Sequence, residues 1–283
     1  MSNDGVGLIG GTSFVGERVS HLLEKHGYEV TTFSRESSRN IVSLRFTEES
    51  PQIIENWIYL APIWTLPQYF SLLEDYKAKR LVALSSTSRF SKLTSSCMTD
   101  RNIASQLVKG EEQVLQWANA IDCTLVILQP TLIYGRGKDK NVSEIARFIR
   151  RFGFFPLLGQ GRGLRQPVHV DDVASACFSA LQVPLGRKCS YVISGQEELS
   201  YRTMVERIFL ALGRKPVFLP CPLWLFTFAI RTVNVLPPFR GLSAEMAVRM
   251  NMDLNFEHTE AKKDLGFRPR PFHPSQTDLV ERT

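Results

Sequence analysis

The sequence is short of several things, and each shortage excludes a class of protein. Five cysteines, Cys97, Cys123, Cys177, Cys189 and Cys221, are scattered through 283 residues, and no two stand at CxxC or other metal-ligand spacing. Neither a disulfide framework nor a zinc site is expected, and the thiols read as those of a reduced, cytoplasmic protein. Lys and Arg exceed Asp and Glu by 34 to 28 but form no long run. A nucleic-acid partner is therefore not expected, whereas an anionic small molecule is. No basic stretch leads into an apolar one at the N-terminus, so no secretory signal is expected. The longest apolar stretch, Pro222–Pro238 (PLWLFTFAIRTVNVLPP), carries Arg231 and is short for a membrane span. It is expected to cover a pocket or a subunit contact, which leaves a homodimer open and makes membrane contact unexpected. No internal repeat is found.

What is present is alternation. Short apolar strands at Val6–Gly10, Tyr28–Phe33, Ile41–Phe46, Trp57–Ala61, Arg80–Ser85 and Cys123–Leu128 are separated by helical patterns. The helices are expected at Phe14–His26, near Pro51–Asn56, at Leu66–Tyr76 and at Arg101–Ala120. This rhythm predicts βαβ units and an α/β fold with a Rossmann-type doubly wound parallel sheet. After Tyr134 glycine and proline become frequent, as in YGRGKDK and GFFPLLGQGRG. One more helix and strand, Asp171–Leu181 and Lys188–Ile193, return to the sheet. The expected division is a nucleotide-binding domain over 1–135, completed by about 166–195, and a smaller, mostly helical substrate lobe over 136–165 and 196–283.

The glycine motif has meaning because of where it falls. Gly10-Gly11-Thr12-Ser13-Phe14-Val15-Gly16 joins the first strand to the first helix. A pyrophosphate sits well on a helix N-terminus, where unpaired N–H groups and the dipole favour negative charge, and small residues let the backbone approach it. All seven residues are expected at the cofactor. The second strand ends Ser34-Arg35 rather than in an acid. Arg35 can pair with a 2′-phosphate and Ser34 can hydrogen-bond it, so NADP is expected first and NAD second. Leu60, Ala61, Ser85, Ser86, Gln129 and Pro130, at later strand ends, complete the expected cofactor set.

Taken together these pieces resemble the extended short-chain dehydrogenase/reductases of the NAD-dependent epimerase/dehydratase type. GGTSFVG is similar to that family's GxxGxxG, with Ser13 where the middle glycine usually stands. LSSTS (Leu84–Ser88) resembles the strand end carrying the catalytic Ser/Thr, which falls on Thr87. QPTLIYG (Gln129–Gly135) is similar to RPxxVYG, RQPVHVDDVA (Arg165–Ala174) to RDFxxVDDVA, and EAKKDLGFRPR (Glu260–Arg270) to the segment that closes the substrate lobe. The resemblance implies an epimerase, dehydratase or reductase acting on a nucleotide-sugar-like ligand. It also implies a phosphate contact at Arg165, with Arg249 as a second and Arg162 and Lys140 adding positive charge.

The family's YxxxK pair is missing. No tyrosine lies between Tyr76 and Tyr134, so no choice of alignment supplies one on the long helix. The string Tyr134–Lys138 sits beyond the sixth strand among glycines and reads as a chance match. A non-standard proton carrier is then required, and Tyr134, His169 and Lys109 are the candidates beside Thr87. Asp171 and Asp172 precede an apolar-periodic stretch and read as helix caps, with no metal expected. Readings from other classes remain open: a non-catalytic NAD(P)-binding redox sensor or assembly subunit, or a membrane-surface reductase.

Overall fold

The computed structural model describes residues 5–34, 41–43, 53–221 and 250–280. Arg35, Arg249 and Pro222–Pro238 lie outside the described residues. The described fold divides into two units. The first comprises Met1–Thr131, Val170–Ile193 and Glu257–Pro269, and the second Leu132–His169, Ser194–Phe256 and Arg270–Thr283.

The first unit is built on seven parallel strands. In chain order they are β1 (Gly5–Ile9), β2 (Glu29–Ser34), β3 (Ile41–Ser43), β4 (Asn56–Tyr59), β5 (Arg80–Leu84), β6 (Thr124–Pro130) and a late strand, Lys188–Ile193. Their order across the sheet runs from that late strand through β6, β5, β4, β1 and β2 to β3. The chain reverses direction at β1, which puts the first loop at the switch point, where doubly wound sheets bind their ligands. β6 is buried at all seven positions because helices cover both faces.

Helix α1 (Phe14–Lys25) forms because Ser13 caps it and Val15, Val19 and Leu23 fall on one buried face. Two expectations are corrected here. Over residues 53–56 the helix expected near Pro51–Asn56 does not form: the chain is irregular and then enters β4. The single helix expected at Leu66–Tyr76 is two pieces, a 3₁₀ segment (Ile63–Tyr69) and α2 (Phe70–Asp75). Pro67 has no N–H for an α-helical ladder, which explains the break. After β5 come a single turn, α3 (Ser88–Ser91), and the long α4 (Met98–Ala120), which starts three residues before the expected Arg101.

The second unit holds β7 (Ile133–Tyr134), α5 (Val142–Phe152), β8 (Phe155–Leu158), β9 (Leu164–Arg165) and β10 (Val168–His169). The chain then returns to the first unit as α6 (Val170–Ala180) and the late strand, β11. β12 (Leu199–Ser200), α7 (Tyr201–Ala211) and β13 (Phe218–Cys221) belong to the second unit again. Its strands form three short ribbons: β7 with β10, β9 with β12 and β8 with β13. They pack on an apolar cluster that includes Ile149, Met204, Phe209 and Phe272. Helix α8 (Thr259–Leu265) lies in the first unit, where Tyr191 donates its hydroxyl to Asp264 at 2.9 Å. The short α9 (Gln276–Leu279) ends the described chain.

Candidate functional site

At the switch point the loop 10–16 has a geometry that its residue types dictate. Gly10 has φ +84°, a left-handed backbone that most residues avoid, and an added Cβ would lie 3.2 Å from the backbone of Leu60 and Ala61. Gly10, Leu60 and Ala61 are thus brought together, and Leu60 N–H binds the Ile9 carbonyl at 2.9 Å. Gly16 is tighter still. A Cβ there would meet the carbonyl oxygens of Gly10 and Gly11 at 2.3 and 2.5 Å, so only glycine lets α1 start this close beneath the loop. Ser13 accepts the Gly16 N–H at 3.1 Å. It therefore acts as the helix N-cap, the local reason a serine suits the place of a glycine. The remaining first-turn N–H groups have no intrahelical acceptor. They face a loop kept free of bulk by Gly10 and Gly11, with Thr12 exposed. This cradle fits a pyrophosphate.

The second cluster lies at the ends of β5 and β6. Residues 85–87 continue the pairing: Ser85 N–H binds the Leu128 carbonyl at 2.7 Å and Thr87 N–H the Pro130 carbonyl at 3.1 Å. The Thr87 side chain, 6% exposed, also donates to the Pro130 carbonyl at 3.1 Å. Its oxygen can still accept a hydrogen bond, but it is positioned by the backbone and not by a base. The Ser86 hydroxyl accepts from Ser88 N–H. Ser85 and Gln129 share a partner that the sequence reading missed, Glu111 of α4. Its buried carboxylate accepts the Ser85 hydroxyl, the Arg89 guanidinium and both contacts of the Gln129 amide, at 3.0 and 3.2 Å. The Ser85 hydroxyl and the Gln129 amide nitrogen, both of residues expected on the cofactor, are thus engaged with Glu111. A signal for Glu111 existed: it interrupts the apolar stripe Ala104, Leu107, Val114, Ala118 at helical spacing.

On α4 itself the face turned inward is apolar apart from Glu111 and Asp100. Leu107 is in the core and Ile103 packs against it, while Lys109 is exposed. Asp100 is held by Lys92 at 2.8 Å. Cys123 and Cys177 are buried, and burial pushes both thiols up to about 12, which removes them as nucleophiles at neutral pH. Among the described residues no three His, Cys, Asp or Glu side chains gather as a metal site would need.

In the second unit the β7–β10 ribbon sets Tyr134 opposite His169. Their rings meet edge-on with centroids 5.1 Å apart, and Phe272 packs on the tyrosine at 4.8 Å. Both are nearly fully buried, Tyr134 at 1% exposed and His169 at 5%. His169 Nε2 lies 3.0 Å from an Asp278 carboxylate oxygen. Ser275, the N-cap of α9, supplies that carboxylate with its N–H at 2.8 Å and its hydroxyl at 2.7 Å. Burial pushes the Asp278 carboxyl up, but the hydrogen bonds from His169 and Ser275 outweigh it and hold the group below the usual carboxylate range. The capping box Ser275–Asp278 is legible in the sequence, but a partner 109 residues away is not. After Tyr134 the backbone turns left-handed at Gly135, Arg136 and Gly137, and Gly137 N–H closes the turn on the Asp278 carbonyl at 2.8 Å.

Arg165 is 4% exposed. It donates to the carbonyls of Leu164 and Met252 at 2.7 and 2.8 Å and stacks over Tyr201 with its guanidinium carbon 5.3 Å from the ring centre. Part of the fork expected for a phosphate is thereby engaged with backbone. Lys140 and Arg162 are exposed in the same unit.

Residues 69–193 match the model of the NAD dependent epimerase/dehydratase family. Among curated relatives, a UDP-glucose 4-epimerase from Vibrio cholerae is 20% identical over 161 residues, covering 57% of this chain and 47% of that protein. The curated relatives considered are matched over less than half of their length, between 27% and 47%. Among solved structures, the UDP-N-acetylglucosamine 4-epimerase from Bacillus cereus superposes with a TM-score of 0.71 at 14% identity, over 98% of this chain and 94% of that one. The UDP-glucuronic acid 4-epimerase from the same species, solved in complex with NAD, superposes with a TM-score of 0.66 at 13% identity, over 98% and 96%. Identities this low establish the shared fold.

Proposed function

We propose that this chain, a protein of the NAD-dependent epimerase/dehydratase family by its fold and by the match over residues 69–193, binds a nicotinamide dinucleotide and uses it on a nucleotide-sugar-like ligand. The observation that carries this reading is the loop 10–16, in which Gly16 permits a backbone approach that no side chain tolerates and Gly10 a left-handed backbone that side chains rarely adopt. The α1 N-terminus would hold the pyrophosphate, and Leu60 and Ala61 the segment next to it. Arg35 and Ser34 favour NADP over NAD, since a guanidinium pairs with a 2′-phosphate. Bound there, the nicotinamide would accept or return a hydride.

Proton transfer needs a second group. Thr87 can orient a ligand hydroxyl by accepting from it, yet has no base to activate it. His169, polarised by Asp278 and packed against Tyr134, is the ionisable constellation we assign to that role, and Arg165 the anchor for ligand phosphate. The buried thiols suit a reducing, cytoplasmic setting. Among the described residues no helix is long and apolar enough to cross a membrane.

Calorimetric titration with NADPH and NADH tests the cofactor half. NADPH should bind more tightly, and Arg35→Ala should cost its binding about 1.5–3 kcal/mol, the range for hydrogen bonds to charged groups, while sparing NADH. Equal affinities unchanged by the mutation would remove the NADP assignment. A panel of sugar nucleotides tests the other half: turnover should be slow and should fall further with His169→Gln. Fast turnover that survives Thr87→Ala, Tyr134→Phe and His169→Gln would overturn the site.

A further inference from the structure

The β8–β13 ribbon has two unlike faces. Its register pairs Phe155 with Phe218 and Pro156 with Leu219. One face carries Phe155, Leu157 and Phe218 into or against the core of the second unit. The other turns Val217 and Leu219 outward, 46% and 47% exposed, beside the half-buried Phe154 and Pro156. The end of helix α5 carries half-buried aromatics as well, Phe148 also packing on the core against Phe155. Phe148 and Phe152 stand one turn apart with ring centres at 4.6 Å, and Phe154 lies 5.8 and 6.2 Å from them. Three clustered, half-buried aromatics at the end of α5 and the exposed Val217 and Leu219 of the ribbon thus bring apolar surface to this part of the second unit.

Cations surround it. Arg147, Arg150 and Arg151 are exposed on α5, and Arg151 lies over the Phe152 ring at 5.4 Å. Arg214, exposed, reaches back to the Ile149 carbonyl at 2.8 Å, and Lys215 follows it into β13. Among the described residues of these two segments Glu144 pairs with Arg147, and the sequence holds no acidic residue from Ile145 to Val170 or from Arg207 to Cys221. A helix whose aromatic flank meets a basic outer face, continued by an apolar strand face, has the composition of an interfacial element. Nucleic acid would match the charge but not the aliphatic Val217 and Leu219. Anionic phospholipid matches both, since headgroup phosphates meet the cations while the rings enter the acyl boundary.

We propose that the end of α5 and the outer face of the β8–β13 ribbon dock this protein reversibly on an anionic lipid surface. Juxtamembrane cations contribute additively, so affinity follows the anionic lipid content and weakens with salt. This is a peripheral attachment at a place the sequence did not mark, and it is independent of the cofactor reading.

Vesicle flotation of the full chain tests it. The protein should float with phosphatidylcholine–phosphatidylglycerol vesicles in equal parts, remain free with phosphatidylcholine alone, and release at high salt. Arg151→Glu with Lys215→Glu should weaken flotation about tenfold or more, given the contribution of each cation near a charged surface. Leu219→Ser should also weaken it, with the salt dependence kept. Circular dichroism and thermal denaturation of each variant report folding, and if Leu219→Ser fails to fold the charge-reversal pair carries the test. Absence of flotation, equal flotation with both lipids, or flotation untouched by the charge reversal would overturn the proposal. A wild-type dimer that Leu219→Ser splits, with no lipid binding, would assign the face to a second copy instead and equally overturn it.

Discussion

Two stretches at the same edge of the first sheet have been treated differently by this sequence. The loop 10–16 is fixed by sterics: at Gly16 a single added carbon would collide with backbone, and Gly10 holds a left-handed φ of +84°. The ends of β5 and β6, with α4 beside them, are fixed instead by side-chain hydrogen bonds. The resemblance leads one to expect a tyrosine on the long helix, but α4 carries none, and its inward face presents Leu107 in the core with Ile103 packed against it. Its one polar interruption near the strand ends, Glu111, ties Ser85, Gln129 and Arg89 into a closed network. Binding and chemistry can therefore vary separately in one fold: a glycine loop is fixed by sterics, whereas a proton relay depends on a few side chains that can be replaced without disturbing the sheet.

The sharpest way to break the comparison is at its intact half. Gly16→Val drives a branched side chain into the Gly10 and Gly11 carbonyls. It should abolish NADPH binding and lower stability by about 1–3 kcal/mol through overpacking. Calorimetry and urea denaturation measure the two effects. A folded Gly16→Val protein that binds NADPH like wild type would reduce the loop to a simple turn.

The altered half is tested at Glu111. Glu111→Ala leaves Gln129 and Ser85 without their acceptor and strands the Arg89 guanidinium. Arg89 is partly wet, its side chain 26% exposed, so the loss should be near the low end for a broken buried pair, about 3 kcal/mol. Glu111→Gln should lose less, since the amide oxygen still accepts. A change in stability with unchanged NADPH affinity would support Glu111 as a bolt of the strand ends. Lost affinity at unchanged stability would instead move it into the cofactor site.

These contrasts also mark how far the sequence could be read. The strands of the first unit and α1 were legible because apolar periodicity and Gly27 delimit them, and the loop because a glycine motif gains meaning between strand and helix. The split at Pro67 was readable in principle, but the apolar spacing of Leu66, Phe70 and Leu73 suggested one helix. In the second unit, α5 lay hidden among glycines and prolines that signalled loops. The site's polar partners were the least legible. Glu111 to Gln129 and His169 to Asp278 join residues 18 and 109 positions apart, and no local pattern encodes such pairs. The contacts of Arg165 with the Leu164 and Met252 carbonyls are equally non-local in part, since Met252 lies 87 positions away.

Acid sharpens the comparison in the second unit. His169 and Ser275 hold Asp278 below the ordinary carboxylate range, so the native state takes up its proton at lower pH than the unfolded chain does. The resulting stability is present above the unfolded value, about 3.9, and disappears as pH falls through the lower native one. Asp278→Asn should therefore cost about 1.5 kcal/mol at pH 7, the scale of one charged hydrogen bond, and progressively less in acid. Urea denaturation of both proteins at pH 7 and pH 3 tests the sign. A penalty that grows toward acid would show the carboxylate contributes nothing as an anion.

The smallest effect is expected at Lys109, and it is the most direct check on the missing relay. Lys109 is the cation on α4 that the sequence offers as a substitute proton carrier. A carrier must reach the ligand, and on a helix that means the inward face, which here is defined by Ala104, Leu107, Gly110 and Glu111. Lys109 is one residue from Gly110 and two from Leu107, but a step of one or two residues rotates a side chain well off the shared face. It is exposed, as that rotation requires. Lys109→Ala should accordingly change stability by no more than about 0.5 kcal/mol, the ordinary range for a surface substitution, and leave NADPH affinity and any sugar-nucleotide turnover where they were. Turnover that collapses in Lys109→Ala, with folding and cofactor affinity intact, would place the proton carrier on α4 after all. The contrast between an intact binding loop and a chemically silent helix would then fail.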